Sequence, residues 1–338
     1  LQTIVEPNAL YLPIIVRPDA TDTGDLPANF DSQQVIGGLE SPDHLVFSPD
    51  GRMFISERIT GRLIIAELNS ASGEWTVNPT PFHTFDVPGP EPRRSAGLRG
   101  IAFDPDFSSN GYLYAFYMHR DTLQNRVVRL RAQPGDQDVA DESFGTGGEE
   151  LLIDLPFNDT ASSGSHNGGA LEFGSDNKLY IATGDGWTGE FAGDDVQRLN
   201  TFTGKILRIN TDGSIPSDNP FFGETTGAYR AIYALGLRNP YSMSRNPLDG
   251  EIYINEARGA KKDEIYIAEP GANYGHEGSG IGTLRSPWAN AAEAGGVLIT
   301  GGAWYPTDGP FPSIYHGAYF VALWGNNNST TGQISYCL

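Results

Sequence analysis

The feature that most constrains this chain is a repeat of short strand-like runs punctuated by turn residues. Four segments share one grammar: an apolar run, a turn built from Asp with Pro, Gly or Asn, a second run with aromatics, and a third run introduced by a charged residue. The first comprises His44 to Phe47, the turn Ser48-Pro49-Asp50-Gly51, Met53 to Ile55, and Gly61 to Ile65. The second comprises Gly100 to Phe103, Asp104-Pro105-Asp106-Phe107, Tyr112 to Tyr117, and Arg126 to Leu130. The third comprises Ala170 to Phe173, Ser175-Asp176-Asn177, Leu179 to Ala182, and Gly204 to Ile209. The fourth comprises Tyr241 to Met243, Asn246-Pro247-Leu248-Asp249-Gly250, Glu251 to Ile254, and Asp263 to Ile267. β-Branched and aromatic residues cluster between turn signals and no long stretch has a helical period, so antiparallel strands are expected throughout. The turn aspartates 50, 106, 176 and 249 lie 56, 70 and 73 residues apart, somewhat above the length of a four-stranded blade. The expectation is an all-β fold, a propeller rather than a sandwich.

A fifth, looser unit follows at Gly301 to Tyr305, Ala318 to Leu323 and Gly332 to Tyr336, and the sequence ends within what reads as a strand. About five blades are thus visible. A propeller closes by pairing strands from its two ends, so the reading is either a five-bladed ring or a chain cut before a last blade. Residues 1–34 mix Pro, Asp, Thr and Gly without periodicity and read as an extended leader to a single domain over 35–338. The longest apolar stretch there, Leu10 to Val16, contains Pro13 and is too short to span a bilayer; a removed signal peptide and a secreted or periplasmic location are expected. The 22 basic residues against 42 acidic ones give a net charge of −20, which would repel phosphate backbones, so no nucleic acid partner is expected. The one cysteine, Cys337, permits neither an internal disulfide nor a cysteine-rich metal site.

On such a scaffold chemistry belongs to the loops. Three stand out. In Gly164-Ser165-His166-Asn167-Gly168-Gly169 a histidine sits among residues that let backbone approach a ligand, and imidazole titrates where a hydroxyl proton can be taken. An exposed or merely hydrogen-bonded histidine in a turn is the competing reading. Gly236-Leu237-Arg238-Asn239-Pro240 offers a planar cation and a carboxamide, suited either to a polar planar ligand or to a structural Arg-Asn pair. Glu256 to Glu264 offers carboxylates and carbonyls, hard oxygen ligands for Ca²⁺, although taken alone a solvated charge run is its ordinary explanation.

Taken in order, the motifs are more specific than any one of them. Gly97-Leu98-Arg99-Gly100-Ile101-Ala102-Phe103-Asp104-Pro105-Asp106-Phe107, the His166 loop with Leu179 to Asp185, Gly204 to Asn210 with Asp212 to Pro216 and Asp218 to Phe221, Leu237-Arg238-Asn239-Pro240, and Pro270 to Gly275 together resemble the glucose/sorbosone dehydrogenase family over roughly residues 36 to 336. That resemblance implies a six-bladed propeller carrying pyrroloquinoline quinone and Ca²⁺, with an aldose oxidised to its lactone and electrons passed to an external acceptor. Carried over by position, His166 would be the general base, Arg238 and Asn239 would hold the quinone, and the carbonyls of Arg258 and Gly259 would face the calcium. The chain departs from the pattern at Ser95, where relatives commonly have Gln or Glu, at Ser165, where some have an acid, and at Leu323 to Asn328, which lacks a basic residue. Arg99, aliphatic in most relatives, is a candidate to supply a replacement cofactor contact. Two further readings stay open: a propeller that binds carbohydrate or protein without redox chemistry, and a metal-dependent lactone hydrolase.

Overall fold

The computed structural model describes residues 34–89, 96–156, 165–186, 193–258, 263–278, 280–290, 298–309, 311–326 and 329–337. The expected leader therefore lies almost wholly outside the described residues. The first sheet is built from β1 (Pro42–Phe47), β2 (Met53–Glu57), β3 (Arg62–Asn69) and β4 (Glu74–Val77), with β5 (His83–Thr84) also on β3. The second holds β6 (Leu98–Phe103), β7 (Tyr112–Met118), β8 (Asn125–Gln133), β9 (Asp136–Ala140) and β10 (Glu150–Leu155). The third runs β11 (Gly168–Phe173), β12 (Leu179–Thr183), β13 (Lys205–Ile209) and β14 (Ile232–Leu235). The fourth has β15 (Pro240–Arg245), β16 (Ile252–Glu256) and β17 (Glu264–Ile267). Two short strands then extend the third sheet in parallel, β18 (Ala272–Asn273) on β14 and β19 (Thr283–Leu284) on β18, and β20 (Ala289–Asn290) completes the fourth sheet. The fifth is β21 (Leu298–Trp304), β22 (Tyr319–Asn326) and β23 (Ser329–Cys337).

Successive sheets meet along their first strands: β1 touches β6, β6 touches β11, β11 touches β15, and β15 touches β21. The second strands β2, β12 and β16 are buried at every residue, because each is the middle of a sheet covered on both faces by its neighbours. That is why they read as continuous apolar runs rather than alternating ones. The core is accordingly layered. Phe54, Leu63 and Ile65 interleave with Leu113, Ala115 and Val128 between sheets one and two. Tyr114, Phe116 and Val127 meet Leu171, Ile181 and Leu207 between two and three. Tyr180, Ala182 and Ile206 meet Met243, Ile254 and Tyr266 between three and four, and Tyr253 and Ile265 meet Ile299 and Val321 between four and five. The fold is the expected all-β propeller, seen as five sheets.

One turn departs from the reading. After Asp104 the chain makes a single helical turn, α1 (Phe107–Asn110), ended by Gly111 at φ 69°. Asp104 organises it by accepting the Asp106 amide at 2.9 Å and the Tyr114 hydroxyl at 2.7 Å. This asparagine- and serine-rich turn is too short for a periodic signal.

Candidate active site

The His166 loop is fixed by its backbone. Leaving residue 165, the chain turns through His166 at φ 55° and Gly168 at φ 65° before entering β11. Gly184, at the far end of β12, faces this turn so closely that a Cβ there would fall on the His166 carbonyl. On β6, the facing first strand of the second sheet, a Cβ on Gly100 would fall on the Gly169 carbonyl. Both glycines are therefore demanded by close approach of backbone, and they let β6, β11 and β12 carry the histidine as one unit.

The imidazole is held from its Nδ1 side. That nitrogen lies 2.7 Å from Asp185 Oδ1, just past the end of β12. The other oxygen of Asp185 lies 3.3 Å from His276 Nε2, in the loop after β18. Burial opposes ionisation of Asp185, which is 6% exposed, but the hydrogen bonds from His166 and His276 outweigh it and hold the carboxyl below its ordinary range. A carboxylate on Nδ1 selects the tautomer whose lone pair is on Nε2, the nitrogen able to take a hydroxyl proton.

Arg238 and Asn239 stand against the same loop. The Arg238 carbonyl accepts the Asp185 amide at 2.6 Å, and the Asn239 side-chain oxygen accepts the Gly168 amide at 3.3 Å. Arg238 in turn gives its own amide to Glu256 Oε1 at 2.6 Å and one guanidinium nitrogen to the Ala257 carbonyl at 2.9 Å. The first two loops singled out from the sequence are thus in direct contact. Ser165 is half-buried beside His166.

The described ends of the Glu256 to Glu264 segment, residues 256–258 and 263–264, are not a solvated charge run. Glu256 is fully buried, Asp263 is 2% exposed and Arg258 is 9% exposed. Asp263 accepts the amides of Arg258 and Ile299, each at 2.8 Å, and burial still raises its carboxyl. The Arg258 guanidinium reaches Glu264 at 2.7 Å, Tyr266 at 2.8 Å and the Tyr274 carbonyl at 3.2 Å. Burial pushes Glu256 up to about 8, and its Oε2 has no hydrogen-bond partner among the described residues.

Arg99 is inward-pointing but occupied. Its guanidinium pairs with Asp43 at 3.1 Å and lies 4.7 Å from the centre of the Tyr241 ring, whose hydroxyl also reaches Asp43 at 3.3 Å. The side chain runs beneath Gly169. Arg99 thus braces the floor of the His166 loop by joining the inner strands of sheets one, two and four. Ser95 and Gly259 lie outside the described residues.

The pattern of the Glucose / Sorbosone dehydrogenase family matches residues 39–286, most of the chain. The chain belongs to that family. Within it, the chain is 33% identical over 269 residues to quinoprotein glucose dehydrogenase B of Acinetobacter calcoaceticus, covering 73% of this chain and 52% of that protein. It is 27% identical over 298 residues to the Hedgehog-interacting protein of Mus musculus, covering 80% of this chain and 40% of that one. A solved oxidoreductase from Thermus thermophilus, named as a glucose dehydrogenase, superposes with a TM-score of 0.66 at 29% identity, covering 90% of this chain and 86% of that one. This glucose/sorbosone dehydrogenase-family chain spans about half the length of the curated relatives it matches.

In the sequence Asp185 stands only as the end of a motif and His276 carries no signal, whereas Glu256 falls in the third loop although its burial does not show. Asp185 follows a Thr-Gly pair at the end of a buried strand, which is a readable place for a group that orients a loop residue. His276 follows Asn273-Tyr274-Gly275, and nothing local to it signals a contact with a residue two strands away.

Proposed function

We propose that this protein is a dehydrogenase of aldose sugars that uses pyrroloquinoline quinone and Ca²⁺, in a secreted or periplasmic setting. The observation that carries the reading is His166, placed with Nδ1 on a buried, ionised Asp185 and set against Arg238 and Asn239.

The residues fit the implied cofactors on two counts. Arg238 is half-buried and uses a single guanidinium nitrogen on Ala257, so its planar cation suits an anionic, planar ligand beside His166. Glu256, with its unpartnered buried oxygen, stands two residues before Arg258, where a cation would relieve it. Among the described residues no group of three or more His, Cys, Asp and Glu side chains is disposed to hold a metal ion, so an ion here would depend on backbone carbonyls such as those of Arg258 and Gly259.

In the reaction, His166 Nε2 takes the proton of the anomeric hydroxyl while the hydride leaves the same carbon, giving the lactone. Bound quinone, polarised by Ca²⁺, would supply the acceptor for that hydride, and an external acceptor would then remove the electrons. Asp185 stabilises the imidazolium that forms and keeps the ring from turning. Asn239 contributes by holding Gly168, and Arg238 by holding Asp185 through its carbonyl and a ligand's negative charge through its side chain.

The test is reconstitution with pyrroloquinoline quinone and Ca²⁺, followed by dye reduction across a panel of aldoses. Calcium-dependent reduction that His166→Ala abolishes supports the reading; an unaffected His166→Ala enzyme overturns the role of the base. A second reading, a binding propeller without redox chemistry, is favoured by the serines at 95 and 165 and by the similarity to the Hedgehog-interacting protein. Folded protein that takes up no quinone would decide for it. Activity with metal but no quinone would instead indicate a lactone hydrolase.

A further inference from the structure

His276 is held in place from several sides. Its amide donates to the Gly236 carbonyl at 2.9 Å, and its carbonyl accepts the Gln197 side-chain amide at 2.7 Å. Gln197 is itself clasped by Asn273, whose amide nitrogen lies 2.6 Å from the Gln197 oxygen. The 3₁₀ turn that carries Gln197, Gly193–Gln197, is tied down by Lys205, whose ammonium reaches the carbonyls of Asp195 and Val196 at 3.1 and 3.0 Å. The result is a second imidazole, with a side chain 12% exposed, aimed at the Asp185 carboxylate that orients His166.

We propose that His276 is a positioning residue for His166, acting through Asp185. It fixes the rotation of the shared carboxylate, and its own protonation draws carboxylate charge away from His166. The inference rests on the dehydrogenase reading only for its kinetic arm. Two donors on opposite oxygens of one carboxylate leave it a single orientation, in which Oδ1 stays on His166 Nδ1. Neutral His276 does this with an Nε2–H. Cationic His276 competes for the same negative charge, which links the state of one imidazole to that of the other through Asp185. Among the described residues the groups facing His276 are Asp185 and, at 3.8 Å on its own loop, Glu277. Behind Asp185 stand His166, Arg238 and the buried Glu256. Gly236 and Gln197, which pack against it, carry no charge.

The experiment follows the ring nitrogens of His166 and His276 by NMR in the protein without added quinone, for the parent, His276→Gln and His276→Phe, with His166→Ala to assign the signals. Gln keeps a donor for Asp185 but cannot become a cation. Expected for the parent is that the signals of each ring respond to protonation of the other. In His276→Gln the His166 signals should follow a different course across the pH series, because no cation competes for Asp185. In quinone-loaded enzyme, kcat of His276→Phe should fall roughly tenfold, the worth of one hydrogen bond to a charged group, with KM little changed and most of the loss restored in His276→Gln. A His166 titration curve identical in the parent and His276→Gln overturns the proposal, even if His276→Phe fails to fold. A parent whose rings respond to each other's protonation but which reduces no dye with any aldose upholds the coupling and refutes the dehydrogenase reading instead.

Discussion

Glu57 and Glu256 occupy the same place in two sheets, each the last residue of the second strand, yet their charges are met differently. Glu57 accepts the Glu40 amide at 2.8 Å, the Thr60 hydroxyl at 2.8 Å, and Arg62 at 2.8 and 2.6 Å through two nitrogens. Glu256 accepts the Arg238 amide, and its second oxygen has no partner among the described residues. The cause is readable in the third strands. β3 opens with Arg62, which turns back onto Glu57, whereas β17 opens with Glu264, which draws Arg258 away from Glu256. The repeat therefore preserves a carboxylate and changes the sign of the residue opposite it. At the first sheet the carboxylate seals a turn; at the fourth it is left short of a cation beside the His166 cluster.

This contrast separates a structural blade end from a chemical one, and substitutions can break it. The largest effect should come from His166→Ala, which lowers dye reduction by roughly 10³-fold while leaving Tm within about 2 °C; thermal melts and initial rates on the same preparation check it. Glu57→Gln should do the reverse, lowering stability by about 3 kcal/mol, because it leaves buried donors facing a neutral amide, with activity per folded molecule unchanged; urea unfolding measures it. A third carboxylate, Glu172 on β11, grades the comparison. Burial pushes it up to about 7, although it accepts the Arg245 amide at 3.3 Å. The folded state then binds more protons than the unfolded one between about pH 4.5 and 7, so stability falls as pH rises through that window. Glu172→Gln should flatten this slope, by on the order of 1 kcal/mol; Tm against pH tests it. The smallest effect is expected from Glu256→Gln in chelator, under about 1 kcal/mol, since the amide keeps Oε1 for Arg238. A loss as large as that of Glu57→Gln would erase the contrast.

Much of the fold was legible because a propeller repeats its turn chemistry. Asp50-Gly51 and Asn246 to Gly250 mark hairpins, and second strands buried on both faces announce themselves as unbroken apolar runs. The site was legible only where a residue type carries its own chemistry, as at His166 and Arg238. Glu256, Arg258 and Asp263 read most simply as a solvated run, because burial of a charged segment depends on neighbours from β21 and the loop after β18. Arg99 looked like a replacement ligand for the cofactor. Its pairing with Asp43 and Tyr241 could not be read locally, since those partners come from other sheets. His276 was invisible for the same reason: the link between it and His166 is a carboxylate belonging to neither loop.

The Arg99, Asp43 and Tyr241 contact also bears on how the ring assembles. Blades that touch only their neighbours could form one after another, like links in an array. Tyr241 and Asp43 are 198 residues apart in the chain, so their contact must wait until the first, second and fourth sheets are all in place. On this ground the contact is expected to form late in folding, and a fluorophore or isotope label at Tyr241 would report when the first four blades begin to behave as one cooperative body.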